Sequence, residues 1–242
     1  RKSEGNKRQY GSTEAEFREL IARYWGLVTQ VDMSVGAILD KLESLGLTEN
    51  TIVVFTSDHG DMMGAHRMVA KGVMYEESVR IPFLLKDPRM NTSQRMIPER
   101  VSQVDIVPTL LDLMGHEVPG NLEGKSLVPA LKADEFPAED IFIEWNSHMD
   151  YRVRDWAEND PDEADSIQWA ASPSIRTVIS KDGMKLSLSN RDKSQLFDLN
   201  KDPLEMENLY YKEEYKQTIN DLAGKIKEWR KVTNDTLSFP TD

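Results

Sequence analysis

The stretch from Thr51 to Pro88 constrains this chain more than any other. It opens with Thr51-Ile52-Val53-Val54-Phe55-Thr56, a nearly unbroken run of apolar and β-branched residues, and the run stops abruptly at Ser57-Asp58-His59-Gly60-Asp61. Such a run predicts a strand buried on both faces, as in a parallel sheet. In open parallel α/β sheets ligands bind beyond the carboxyl ends of the strands, so Asp58 and His59 become candidate site residues. Both are metal ligands by type, one through oxygen and one through nitrogen. Neighbours on a strand point to opposite faces, but in a turn past its end two of them can converge on one ion. Asp58, Gly60 and Asp61 also read as plain turn formers, and two ligands alone do not complete a metal site.

The following residues add charge. Ala65-His66-Arg67 and Ala70-Lys71-Gly72 put three cationic or proton-carrying side chains into one loop, ahead of a second strand candidate, Ile81 to Leu85. Metal-binding groups and a Lys in one such region suit an anionic oxyanion ester. Lys is a compact point charge that can sit on a sulfate or phosphate oxygen while a metal polarises another. Tyr75 to Arg80 reads as a short turn or helix in which Glu76, Glu77 and Arg80 form local ion pairs, worth about 0 to 1 kcal/mol each when exposed.

TSDHGDMMGAHRMVAKG followed by YEESVRIPFLL resembles the second half of the catalytic domain of the sulfatases, in the alkaline phosphatase superfamily. ENTIVVFTSDHG, VDIVPTLLDLMG, EVPGNLEGKSL and QLFDLNKDPLEMENL are similar to further segments of that family in its usual order, so the resemblance covers most of Ala22 to Leu209. It implies an α/β fold class: the second half of an alkaline-phosphatase-like sheet flanked by helices, with a small α+β C-terminal subdomain. It implies sulfuric ester hydrolysis by the parent protein, with a sulfated small molecule or glycan as substrate and a sulfated sugar as the default.

By the same resemblance Asp58 and His59 would be ligands of a divalent metal and Lys71 would contact the sulfate. His66 would donate a proton to the leaving alcohol or hydrogen-bond the sulfate. Calcium is the first expectation for the metal. Many family members have Asn where this chain has His59, and an imidazole nitrogen leaves room for manganese, magnesium or zinc. The family's nucleophile is a formylglycine made from Cys or Ser in C/S-x-P-x-R, in an N-terminal half expected to precede Arg1 and to be this chain's partner within one protein. In Ala171-Ser172-Pro173-Ser174-Ile175-Arg176 the position two before Pro173 is Ala171, so that stretch does not match. The chemistry implied is nucleophilic catalysis with electrostatic stabilisation of a spread anionic transition state. A periplasmic, secreted or lysosomal location would accompany the family.

The chain has 242 residues and a formal net charge of −12. That charge disfavours nucleic acid as a partner, because phosphate neutralisation needs a basic surface. The sequence has no apolar run of membrane-spanning length, so no membrane partner is expected. Zero cysteines exclude a disulfide framework or a thiolate metal site within these residues. The polar opening RKSEGNKRQYG, with no initiator Met, is expected of a chain that begins mid-protein.

Elsewhere the pattern is architectural. Phe17, Leu20, Tyr24, Leu27, Val31, Val35, Ile38, Leu42 and Leu45 recur at three and four, which predicts a helix from Thr13 to Leu45 with one apolar stripe. Thr13 with Glu16 makes a capping box and Gly46 a terminator. Gly26 and Gly36 within it cost roughly 1 kcal/mol each relative to Ala and allow a bend. Asp32 on this helix has a family counterpart but reads as a solvent or helix-contact carboxylate. Val104 to Met114 is a short helix closed by Gly115, and His116 a loop residue. Ile141-Phe142-Ile143 is a strand candidate followed by Glu144, Trp145, Asn146 and His148, where substrate contacts would lie.

From Asp150 to Asp165 carboxylates crowd a stretch without periodicity that also holds Tyr151 and Trp156, with Trp169 beyond it. It reads as a solvated variable loop, 148–172, whose aromatic rings suit sugar faces. Ser174 to Ser189 predicts a hairpin around Asp182-Gly183. Gln195 to Leu199 predicts a third strand, and Tyr215, Ile219, Leu222, Ile226 and Trp229 mark a final amphipathic helix. Residues 1–138 are thus expected to form the second half of a catalytic α/β domain and 139–242 the subdomain.

Two other functions fit the same residues. A phosphonate or phosphate ester hydrolase of the same superfamily would use Asp-His at this strand end. A catalytically inactive interaction fragment would need none of it. Either way, the chain alone is expected to be inactive without its nucleophile.

Overall fold

In the computed structural model of the chain, which describes residues 13–90, 94–133, 135–146, 173–191, 193–239 and 241, Thr13 caps the first element. Its hydroxyl accepts from Glu16 N at 3.3 Å and its own N–H donates to Glu16 Oε2 at 3.0 Å, a complete capping box. Helix α1, Glu14–Ser44, then runs unbroken through Gly26 and Gly36. It ends where Gly46 N donates to Glu43 O and Leu47 N to Leu42 O, which satisfies the last carbonyls. None of its residues is buried. The apolar stripe that periodicity marks as a core face is covered only in part, for Phe17, Leu20, Val35 and Leu42 are half-buried while Leu27 is 60% and Ile38 63% exposed. Asp32 is exposed too.

A single 3₁₀ turn, Thr48–Asn50, leads into β1, Val53–Thr56. The apolar run predicts a parallel-sheet strand covered on both faces, and the structure differs. β1 pairs antiparallel with β2, Phe83–Lys86, in the register Val53↔Lys86 to Thr56↔Phe83. Val53 and Val54 are half-buried, and Phe55 and Thr56 are exposed. An apolar run reports that both faces suit cover but carries no direction. Direction depends on the path of the connection, and here residues 57–82 return the chain alongside itself. That connection contains helix α2, Glu76–Val79. These elements lie in the first of two units, Arg1–Arg95; the second is Met96–Asp242.

In the second unit Ile106–Leu113 forms α3 and Val128–Ala133 forms α4. The loop between them is fastened to α3 by side chains. Asp105 Oδ1 accepts from Lys125 N at 2.9 Å, and Thr109 Oγ1 accepts from Leu127 N at 3.0 Å while donating to Asp105 O at 2.6 Å. Asp105 and Thr109 are buried, so these bonds replace water that neither side chain can reach. Gly124 allows the close approach: a Cβ there would lie 2.0 Å from Val104 O. Gly124→Ala is therefore expected to destabilise the protein by about 1–3 kcal/mol through overpacking. The checking measurement is the thermal midpoint, and an unchanged Tm would mean the loop does not sit this close.

The rest of this unit is a four-stranded antiparallel sheet, order β3-β4-β5-β6: Ile141–Asn146, Ser174–Ile179, Met184–Ser189 and Gln195–Asp198. The hairpin expected around Asp182-Gly183 is β4–β5, with Val178 opposite Leu186. Helix α5, Lys216–Val232, lays Ile219, Leu222, Ala223 and Ile226 on Val178, Leu186, Leu188 and Leu196 to form the core. The Phe142 and Trp229 rings stack at 5.3 Å. The other side of the sheet is closed as well, since Thr177, Lys185 and Ser187 are buried and the Thr177 and Ser187 hydroxyls share a 2.8 Å hydrogen bond. Lys185 Nζ meets Glu205 Oε1 at 2.9 Å, with both side chains at most 1% exposed. No helix among the described residues is long and apolar enough to cross a membrane.

Candidate functional site

The chain leaves β1 through Ser57, and local hydrogen bonds shape the turn from Ser57 to Gly60. Ser57 Oγ donates to His59 O at 2.8 Å, and His59 N donates to Asp58 Oδ1 at 3.0 Å. His59 Nδ1 lies 2.8 Å from Gly60 O. A carbonyl only accepts, so Nδ1 carries a proton, and in the neutral ring Nε2 keeps its lone pair. That Nε2 is 3.5 Å from Asp58 Oδ2. The pair therefore brings one oxygen and one nitrogen within 3.5 Å of each other, with the second ring nitrogen hydrogen-bonded to a backbone carbonyl.

Asp58 is exposed. The His59 backbone N–H holds its carboxyl below the usual carboxylate range, against a smaller opposing effect of desolvation, and the His59 ring, Asp58's own N–H and the Ser57 hydroxyl add to the lowering. An anionic Asp58 at neutral pH is the form that binds cations. Among the described residues no group of three or more His, Cys, Asp or Glu is placed to hold a metal. This pair by itself offers two donors.

Gly60 then docks the strand end on the turn at α2. Its N–H donates to Ser78 O at 2.8 Å, and a Cβ in its place would lie 2.0 Å from Glu77 O. Beyond it the chain forms a tight loop closed by Met62 N to Ala70 O and Gly64 N to Met68 O, each 2.8 Å, above the buried Met62. Four of its non-glycine residues have left-handed backbones: Met63, His66, Arg67 and Ala70, at φ 42, 50, 60 and 65. Each such residue costs about 1–2 kcal/mol, so the loop's own contacts hold it in a conformation the chain would otherwise avoid. Phe17 of α1 supports the loop from one side, its ring 3.4 Å from where a Gly64 Cβ would be.

The loop fixes where the two other sequence candidates sit. His66 is half-buried on it, with its ring stacked on Tyr75 at 3.8 Å and 11° between planes. Lys71 follows the closing Met62–Ala70 bond, so it leaves the loop beside the point where Asp61 enters, and it is exposed. Asp58 and His59 are thus in mutual contact, while His66 and Lys71 are carried by the loop that comes after them. Sequence reasoning takes Tyr75 only as the start of a connecting turn. A lone Tyr nine residues from a His gives no periodic signal that their rings meet.

In the other unit, Glu144, Trp145 and Asn146 at the end of β3 serve a buried guanidinium. Arg176 Nη1 donates to Trp145 O at 3.2 Å and Asn146 Oδ1 at 3.0 Å, and its Nε donates to Asp235 Oδ2 at 2.6 Å. Burial pushes the Asp235 carboxyl up, but the Arg176 hydrogen bond, the Leu237 N–H and the charges of Arg176 and Arg230 outweigh it and leave Asp235 below its usual range. Arg230 also lies over the Phe239 ring, 4.9 Å from its centroid. His148, Tyr151, Trp156, Trp169 and the acidic loop 148–172 lie outside the described residues.

Comparison with known proteins gives this arrangement a context. The sulfatase family model matches residues 1–116, and the model described as N-sulphoglucosamine sulphohydrolase, C-terminal, matches residues 64–232. An arylsulfatase of Clostridium perfringens is 35% identical over 204 residues, which is 83% of this chain and 38% of that protein. A protein solved in complex with its substrate D-glucosamine-2-N,6-O-disulfate superposes with a TM-score of 0.79 at 26% identity, covering 96% of this chain and 45% of the other. The phosphonate monoester hydrolase of Agrobacterium radiobacter does so with a TM-score of 0.75 at 26% identity, covering 90% and 42%. The chain spans about two-fifths of the length of the curated relatives it matches.

Proposed function

The chain belongs to the sulfatase family, and from that premise we propose that the whole protein hydrolyses sulfate esters, with a sulfated sugar as the substrate class. The observation that carries this is the match of two successive family models, both named for sulfate chemistry, across residues 1–232. The sugar disulfate bound by one structural neighbour supports the substrate class.

Asp58 and His59 fit a divalent cation as two of its ligands, because Oδ2 and Nε2 lie 3.5 Å apart and the remaining imidazole N–H is tied to Gly60 O. A bound cation would supply Lewis-acid polarisation of a sulfate oxygen. Calcium prefers oxygen ligands such as this carboxylate, and the imidazole nitrogen leaves room for manganese, magnesium or zinc. Lys71 would place a fixed positive charge on another sulfate oxygen. His66, held half-buried on the strained loop, would give its proton to the departing alcohol oxygen. These 242 residues contain no Cys or Ser in the C/S-x-P-x-R context, so a formylglycine has no place among them. We assign it to the part of the whole protein that this chain does not span. In this reading residues 1–138 belong to the catalytic domain and 139–242 form the subdomain, which holds β3 to β6 and α5.

The likeness to a phosphonate monoester hydrolase gives a second reading, since the same Asp-His pair and Lys would suit a phosphonate monoester. Steady-state kinetics of the full-length protein on matched aryl sulfate, phosphate and phosphonate esters separates the two. The sulfatase reading expects kcat/KM for the sulfate to exceed the others by about 10²-fold or more, the size of effect one well-placed charge or donor supplies. The opposite order assigns the protein to phosphonate or phosphate esters. Turnover of any of them by the isolated 242-residue chain would refute the placement of the nucleophile.

A further inference from the structure

We infer that Tyr75 is the positioning residue for His66, a role that rests on the reading of His66 as the proton donor. The His66 ring lies flat on the Tyr75 ring, 3.8 Å between centroids and 11° between planes. The loop's hydrogen bonds act on its main chain, where His66 and Arg67 are consecutive left-handed residues at φ 50 and 60, and they leave the His66 ring to be held by what it packs on. Among its rotamers the His66 ring takes the one that lies on the Tyr75 ring.

Tyr75 is itself fixed. Its carbonyl accepts from Ser78 N at 2.9 Å and Val79 N at 3.0 Å, so it caps the first turn of α2. Ser78 O in turn accepts from Gly60 N, directly after Asp58 and His59. One short turn therefore braces both parts of the site: through Ser78 it holds the strand end that carries Asp58 and His59, and through the Tyr75 ring it sets the plane of His66. A ring stacked on another favours one plane, and its two nitrogens then point along its edge. For a proton donor that direction decides whether the departing oxygen is met.

The test uses the full-length protein and two substrates. A nitrophenyl sulfate has a leaving group that departs without a proton, whereas an alkyl sulfate depends on the acid. Tyr75→Phe keeps the stack and is expected to stay within about twofold of wild type on both. Tyr75→Leu removes it and is expected to lower kcat on the alkyl sulfate about tenfold more than on the nitrophenyl sulfate, with KM little changed. Combined with His66→Ala, Tyr75→Leu should add nothing further, because a residue that acts only through His66 has no effect without it.

Equal losses on both substrates, or losses that multiply with those of His66→Ala, would overturn the proposal and leave Tyr75 a structural residue. A His66→Ala protein with unchanged leaving-group dependence would overturn it too. If the wild type cleaves phosphonate rather than sulfate esters, the sulfatase reading fails and the same pair of leaving groups is compared on phosphonates. If it cleaves none of these esters, both readings fall.

Discussion

Lys71→Ala in the full-length protein is expected to lower kcat/KM for an aryl sulfate by ~10²–10³, the usual loss when one preorganised charge or donor is taken from a developing anion. The same change should alter stability by no more than about 0.5 kcal/mol, because Lys71 is exposed and follows the Met62–Ala70 bond rather than contributing to it. Lys71→Arg is not expected to restore the rate, since a planar fork and a point charge present their donors differently. Kinetics paired with thermal unfolding of each variant checks both halves. A loss below tenfold, or a loss matched by a fall in Tm, would remove Lys71 from the sulfate-binding role.

Lys185→Met is expected to have the largest effect on stability, about 3–5 kcal/mol, because it takes the ammonium away from a buried carboxylate. The ammonium and carboxylate are 2.9 Å apart with neither side chain more than 1% exposed. Glu205 is also held at φ 53, on a turn whose N–H reaches Asp202 O. The double variant Lys185→Met, Glu205→Leu is expected to recover most of the loss, since an apolar pair of similar size carries no desolvation penalty. Urea unfolding midpoints of the wild type, the single variant and the double variant measure this. A single variant as stable as wild type would mean that Lys185 contributes little to holding the Glu205 carboxylate.

The buried pair also marks where sequence reasoning stops. The capping box at Thr13, the terminator Gly46 and the turn Asp182-Gly183 are local chemistry, so the ends of α1 and the β4–β5 hairpin are legible from residues alone. The core face of β5 is legible too, for Leu186 and Leu188 alternate with polar residues. The alternation suggests that Lys185 and Ser187 face water, yet both are buried, because a strand's pattern reports the polarity of each face and not what covers it. The direction of β1 is hidden for a similar reason, since pairing belongs to two strands and the path between them. At the candidate site the nature of Asp58 and His59 as cation donors is written in their side chains. Their 3.5 Å approach comes with an Nδ1 bond to Gly60 O, and the Tyr75 stack with a loop of four left-handed residues, and no propensity foretells either.

The exposed apolar side chains of α1 bear on how these 242 residues, taken by themselves, behave as a solute. A 31-residue helix is about 46 Å long, and Leu27, Val31 and Ile38 leave an adhesive line along it. Against that attraction stands the net charge of −12, which makes copies of the chain repel one another. The two forces differ in range. Added salt shortens the repulsion to about 10 Å at 0.1 M and leaves the contact attraction intact. For these 242 residues on their own, the resistance of copies to association is therefore expected to fall as ionic strength rises.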